Sequence, residues 1–284
     1  MNLLSINSHV AYGHVGNCAA VFALQRLGVE VWPIHTVALS NHPGHGDFRG
    51  GTSDAAAIRD LVAGLAARGV LASCDGVISG YLGSAEIGTE VLAAATRIKA
   101  ANPSALYCCD PVIGDSDRGI YVKAEVADYI RNRLVPAADI VTPNQFELDV
   151  VSGRSSKTLR DAVAAIDTVH ALGPSVVLAT SVATDETPAD AIDLIVSDAA
   201  GRLRFRLRTP KLTHAANGAG DAIAALFFAH LLESGSAATA LARAAASVFG
   251  VIRRTAQAGA HELLLVEAQD EIVAPSASFQ PEPI

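Results

Sequence analysis

Apolar residues recur along this chain in two registers that alternate. Short β-rich runs at residues 2–6, 30–39, 76–79, 105–109, 139–142 and 175–180 have the length and composition of buried strands. Between them, residues 16–27, 52–68, 84–100, 123–134 and 156–172 carry Ala and Leu at helical spacing. This alternation predicts right-handed βαβ crossovers and an α/β fold: a mostly parallel central sheet with helices on both faces. Residues 191–196 and 203–207 break the rhythm, because Ser197 to Arg202 between them leave no room for a helix. They predict an antiparallel hairpin towards the C-terminal half. From Asp221 to about Val273 the pattern is almost wholly helical.

With 284 residues, half of them hydrophobic, and no Pro-, Ser- or Gly-rich linker, a single domain over 1–284 is expected. A formal net charge of -8 and the lack of a basic cluster interleaved with aromatics give no footprint for nucleic acid. Met1 to Gln25 has no charged side chain, but it lacks a basic leader and is interrupted by Asn7, Ser8, His9, Gly13, His14 and Asn17. It reads as strand, polar turn and helix rather than an export signal. The run Ala222 to Leu232 is too short to span a bilayer. A soluble cytoplasmic protein acting on small molecules is the expectation, with no membrane partner. Cys18, Cys74, Cys108 and Cys109 show no CxxC spacing and read as free thiols. On a strand, Cys108 and Cys109 point to opposite faces and cannot share one metal.

The candidate chemistry centres on Asn217-Gly218-Ala219-Gly220-Asp221 and the apolar run that follows. A small-residue turn lets the backbone approach a ligand closely, and the helix beginning near Asp221 leaves its first amides unpaired, an arrangement that attracts phosphate. The dipole at that end favours an ionised Asp221. A carboxylate there repels stored phosphate, but it suits a base that takes the proton of a hydroxyl attacking one. The bland alternative is an Asp capping a buried helix.

Polar residues also cluster after each proposed parallel strand, where ligands collect in open α/β sheets. They are Ser8 to Asn17, Gly80 to Gly83, Asp110 to Asp115, Thr142 to Glu147, and Thr180 with Ser181. Asp110, Asp115 and Glu147 bring hard oxygen ligands of the kind Mg²⁺ prefers. Pro43, Gly44, Gly46, Gly50 and Gly51 mark a flexible flap over about 40–52 that can close on substrate. His42 and His45 within it have no third ligand at a zinc-like spacing.

Asn217 to Asp221 resembles the anion-hole motif of the ribokinase superfamily, commonly Gly-Thr-Gly-Asp, with Ala219 in the Thr position. The chain is most similar to the pyridoxal kinase family. That likeness rests on Ser8-His9-Val10 with Gly13 and Gly16-Asn17, Ser40-Asn41-His42, Gly80-Tyr81, and Cys109-Asp110-Pro111-Val112 with Gly114-Asp115. It continues through Thr142 to Leu148 and Ser152-Gly153-Arg154. The resemblance implies a ribokinase-like fold and ATP-dependent phosphorylation of the 5'-hydroxymethyl group of pyridoxal, extending in many members to pyridoxine and pyridoxamine. It makes Asp221 the base and Gly218, Ala219 and Gly220 the anion hole. Ser8, Pro43, Gly44, Tyr81 and Tyr121 fall at the ring pocket. Asp110, Thr142, Asn144, Glu147, Thr180, Ser181, Thr209, Pro210, Lys211 and Leu212 fall on the ATP side, with Asp110, Asp115 and Glu147 managing Mg²⁺.

A homodimer is implied as well, and a monovalent cation is left open. Two departures stand out. Pro43 replaces a Thr whose hydroxyl commonly faces substrate, and Ala219 removes a hydroxyl from the anion hole. Within enzymes the competing reading is a hydroxymethylpyrimidine kinase; outside them it is a catalytically silent vitamin B6 binding protein. A dinucleotide-dependent dehydrogenase is disfavoured, since no GxGxxG follows the first strand.

Overall fold

A computed structural model describes residues 1–199, 203–212 and 217–284. In chain order it contains β1 (Asn2–Val10), α1 (Asn17–Arg26), β2 (Glu30–Leu39), β3 (Gly50–Thr52), α2 (Ala55–Ala67), β4 (Gly76–Ser79), α3 (Ala85–Ala101) and β5 (Leu106–Cys109). Next come β6 (Gly114–Asp115), β7 (Gly119–Ile120), α4 (Ala124–Tyr129), α5 (Val135–Ala137), β8 (Ile140–Val141), α6 (Gln145–Ser152), α7 (Leu159–Leu172) and β9 (Val176–Val182). The C-terminal part holds β10 (Ala191–Asp198), β11 (Leu203–Pro210), α8 (Ala219–Ser234), α9 (Ala237–Gln257), α10 (Asp270–Val273) and β12 (Glu282–Pro283).

Ten strands form one sheet in the order β12-β11-β10-β9-β8-β5-β4-β1-β2-β3. The run from β9 to β2 is parallel throughout, as the βαβ rhythm predicts. Antiparallel strands close both edges: β3 on β2, and β10, β11 and β12 on β9. The hairpin expected from residues 191–207 is therefore present, although part of its connector, residues 200–202, lies outside the described residues. Two apolar cores lie on opposite faces of the sheet. One packs α1, α8 and α9; the other packs α2, α3, α6 and α7. Cys108 belongs to the first and Cys109 to the second, as alternation along a strand requires.

Local chemistry sets the helix starts. Ser84, Asn144, Thr158 and Ser236 each accept from a backbone amide of the first turn, a cap that contributes about 1 kcal/mol. The expected helix over 156–172 begins later, at Leu159, because Thr158 and Asp161 form a reciprocal capping box there. The first strand runs four residues past its expected end: His9 and Val10 pair with Ala38 and Leu39 beyond a bulge. The partner strand supplies their ladder and overrides the polar composition of Ser8-His9.

The chain leaves β1 for β2 on one side and returns to β4 on the other. That reversal opens a crevice beyond the carboxyl ends of the strands. No helix among the described residues is long and apolar enough to cross a membrane.

Candidate active site

The crevice widens into a cavity of about 450 Å³, within the usual range for a small-molecule site. Ser8 and Val10 of β1 face it together with Val37 and Leu39 of β2, in the two-residue period of a strand. Tyr81 closes one wall after β4, and His42 and Pro43 approach from the flap. Asp110 follows β5, Thr142 and Asn144 follow β8, and Thr180 and Ser181 end β9. Asn217, Gly218, Ala219, Gly220 and Asp221 complete the lining.

Gly218 is the N-cap of α8 and takes a left-handed backbone, φ +93°. A Cβ there would come within 1.7 Å of the His14 carbonyl oxygen, so both conformation and space demand glycine. Ala219, Gly220 and Asp221 are the first three residues of the helix, where amides have no partner within the helix itself. Donors and dipole therefore point into the cavity beside the Asp221 carboxylate.

Asp221 is half-buried and lines the cavity. Burial pushes its carboxyl above the ordinary aspartate range, against the Gly16 amide and the Asn7 side chain, which pull it down. Desolvation thus outweighs the dipole that alone favours the ionised form. The result is a stronger proton acceptor than a surface aspartate. Asn7 holds it: Nδ2 donates to Asp221 Oδ1 at 2.9 Å. The Oδ1 of Asn7 accepts from the amides of Ser8 and Tyr81 at 2.7 and 2.9 Å. One buried amide thereby ties the Asp221 carboxylate to the backbone on two sides of the cavity. Its position as an interior residue of β1 carries no chemical signal in the sequence, and sequence reasoning passed over it.

On the opposite wall, Thr142 Oγ1 donates to Asp110 Oδ1 at 2.8 Å. Burial, then the neighbouring Glu147 and Asp221 carboxylates, raise Asp110 well above the usual carboxylate range. Burial lifts Glu147 to about 8, although Oε1 accepts from Ile113 at 2.9 Å and Oε2 from Asn144 at 2.9 Å. Glu147 is the third residue of α6 and shares a capping box with Asn144, so the bland and the functional readings both apply to it. Ser181 has φ +53°, the one non-glycine with a positive φ among the described residues. That strain sits on the cavity wall.

Not every expected residue faces this cavity. The Asp115 carboxylate is paired with Arg118 through Nε at 2.8 Å and Nη2 at 2.5 Å; it lines an adjoining space shared by Asn144, Ser181 and Asn217. Gly44, Thr209, Pro210, Lys211 and Leu212 do not line the cavity. Arg118 and Tyr121 do, delivered by the small β6–β7 hairpin that the strand-helix pattern did not foretell. Arg118 lies 5.0 Å from the Tyr121 ring centre and is the only lining Lys or Arg among the described residues. Burial, then Glu147 and Asp110, raise the Tyr121 phenol far above its ordinary value, leaving it a proton donor at neutral pH.

Comparison with known proteins agrees with this geometry. The profile of the phosphomethylpyrimidine kinase family matches residues 67–265. Pyridoxal kinase PdxY of Granulibacter bethesdensis is 50% identical over 283 residues, covering 98% of each chain. PdxY of Corynebacterium diphtheriae is 46% identical and covers 100% of both. Among solved structures, pyridoxal kinase from Leishmania donovani in complex with ADP and pyridoxine superposes with a TM-score of 0.93 at 32% identity, over 100% of this chain and 99% of that one.

Proposed function

Because the chain belongs to the pyridoxal kinase family, we propose that it transfers the γ-phosphoryl group of ATP to the 5'-hydroxymethyl group of pyridoxal, as one kinase domain spanning 1–284. The observation that carries this reading is the placement of Asp221 in the first turn of α8, half-buried, oriented by Asn7, and in one cavity with Ser8 and Tyr81. Ser8 and Tyr81 border the ring, Val10, Val37 and Leu39 supply apolar walls, and the flap over 40–52 closes the mouth through Pro43. On this reading the 5'-hydroxyl lies against Asp221. As the hydroxyl oxygen attacks the γ-phosphorus, the bond from that phosphorus to the bridging oxygen breaks, ADP leaves, and the hydroxyl proton passes to the Asp221 carboxylate. The amides of Ala219 and Gly220 then receive the charge on the transferred oxygens.

Asp110, Thr142, Asn144, Glu147, Thr180 and Ser181 form the nucleotide side. Asp110, Glu147 and Asp221 are crowded acids, while Arg118, the one Lys or Arg lining the cavity among the described residues, is committed to Asp115. A divalent cation fits this excess of negative charge. Among the described residues no three His, Cys, Asp or Glu side chains converge as a ready-made cage, which suits Mg²⁺ because it keeps water and phosphate oxygens. Asp110 is the residue best placed to hold it. Glu147, whose oxygens already serve the amides of Ile113, Gly114 and Asn144, would add negative charge beside it. When bound, Mg²⁺ would supply positive charge against the phosphates. A homodimer and a cytoplasmic location accompany this reading on family resemblance, and sedimentation of the purified chain tests the former.

A hydroxymethylpyrimidine kinase is the second reading, favoured by the description of the matching family profile. It presents the same primary hydroxyl to the same base. Mass-resolved phosphorylation of pyridoxal and hydroxymethylpyrimidine by the wild-type protein separates the two.

A further inference from the structure

Outside the Asp221 machinery, three segments meet at one carboxylate. Glu262 lies beyond α9 in a loop pinned to the core. Leu263 and Leu265 are buried, and the Leu264 amide donates to Thr255 Oγ1 at 3.1 Å. The Glu262 side chain is 12% exposed, and its Oε1 stands 2.5 Å from Nε2 of His45 on the flap, a close contact without hydrogen-bond alignment. Its Oε2 accepts from the His14 amide at 3.3 Å. That oxygen fills the space left by the absent side chain of Gly13, where a Cβ would come within 2.0 Å of it.

Each contact leads to the cavity. His42 and Pro43, on the same flap turn as His45, line it, and the His14 carbonyl is the atom that abuts Gly218. A covered carboxylate is costly unless donors or a cation meet it. When protonated, the His45 imidazole is the cation that meets Glu262 Oε1; lifting the flap removes it and leaves Glu262 with the single amide, and lowering it restores the pair. The contact therefore biases the flap towards the closed arrangement.

We propose that Glu262 is a positioning residue, a fixed post that holds the flap down through His45 and ties that closure to the loop behind the anion hole through the His14 amide. The proposal rests on the reading of the cavity as the pyridoxal site, and Glu262 touches none of the reacting groups.

The test is a double-mutant cycle of Glu262→Gln and His45→Asn, read by steady-state kinetics with pyridoxal and MgATP and by hydrogen exchange over 40–52 without substrates. His45 lies on a surface turn, so its variant leaves the fold intact. Each single variant should raise KM for pyridoxal by about threefold to tenfold. Its kcat should stay within about twofold, since the contact holds the ring rather than the reacting atoms. Exchange over 40–52 should quicken, and the double variant should be no worse than the more affected single one. Unchanged KM and exchange in both single variants, or effects that multiply in the double variant, would overturn the latch. If the wild type phosphorylates no pyridoxal, the reading of the cavity fails, and the exchange cycle alone then decides the latch.

Discussion

Asn7 Nδ2 donates to Asp221 Oδ1 at 2.9 Å, while the other end of the same amide holds the backbone of Ser8 and Tyr81. The Asp221 carboxylate is thus fixed relative to the cavity walls at Ser8 and Tyr81. Replacing Asn7 by Ala should lower kcat by roughly tenfold to a hundredfold, the value of a hydrogen bond to a charged group of about 1.5 to 3 kcal/mol. The pH profile should move as well. Asn7 stabilises the ionised carboxylate, so its loss raises the Asp221 pKa further. Activity needs the deprotonated base and fails as pH falls through that pKa; the acid limb of kcat/KM should therefore shift to higher pH in Asn7→Ala. A limb that stays in place or moves to lower pH removes Asn7 from this role.

The two glycines of the anion hole should respond in opposite ways. Gly218→Ala meets the His14 carbonyl in a left-handed backbone, so it should lower Tm and reduce kcat by about 10- to 10³-fold as the amides are displaced. Gly220 has nothing within 4 Å of an added Cβ. Gly220→Ala in the first turn of α8 should hold or raise stability by about 0.4 to 1 kcal/mol. Thermal unfolding of both variants, without ligands, measures the contrast.

Asp110 and Glu147 should separate under Mg²⁺ titration. Asp110→Asn should raise the concentration for half-maximal activity by about tenfold or more with little change in Tm. Glu147→Gln keeps one acceptor oxygen where the native carboxylate serves the amides of Ile113, Gly114 and Asn144. Its Tm should fall along with its activity. An unaltered Mg²⁺ titration in Asp110→Asn contradicts the placement of the metal.

The parallel sheet and much of the cavity were legible because their signals are local. Ser8, Asp110, Thr142, Asn144 and Thr180 fall where strands end and polar turn residues begin, and Gly218 to Asp221 announce a helix start by composition alone. Asn7 was not legible: its polarity reads as the start of a turn after residues 2–6, and its bond spans 214 positions. Glu262 was hidden for the same reason, its partners being 217 and 248 residues away (262 − 45 and 262 − 14). The pairing of Glu282 and Pro283 with β11 likewise depends on where the chain end is carried by packing. Asp115 pairs with its neighbour Arg118, a contact that the acid's position in the turn does not announce.

The most direct measurement is mass-resolved product formation from an equal mixture of pyridoxal, pyridoxine, pyridoxamine and hydroxymethylpyrimidine with MgATP, by the wild type and by Asp221→Asn. The wild type should convert pyridoxal to its monophosphate. Asp221→Asn should retain ATP binding while turnover falls by about 10² to 10⁴, the usual loss for a positioned proton acceptor. Hydroxymethylpyrimidine as the sole phosphorylated product, or Asp221→Asn turning over pyridoxal at the wild-type rate, would contradict the assignment.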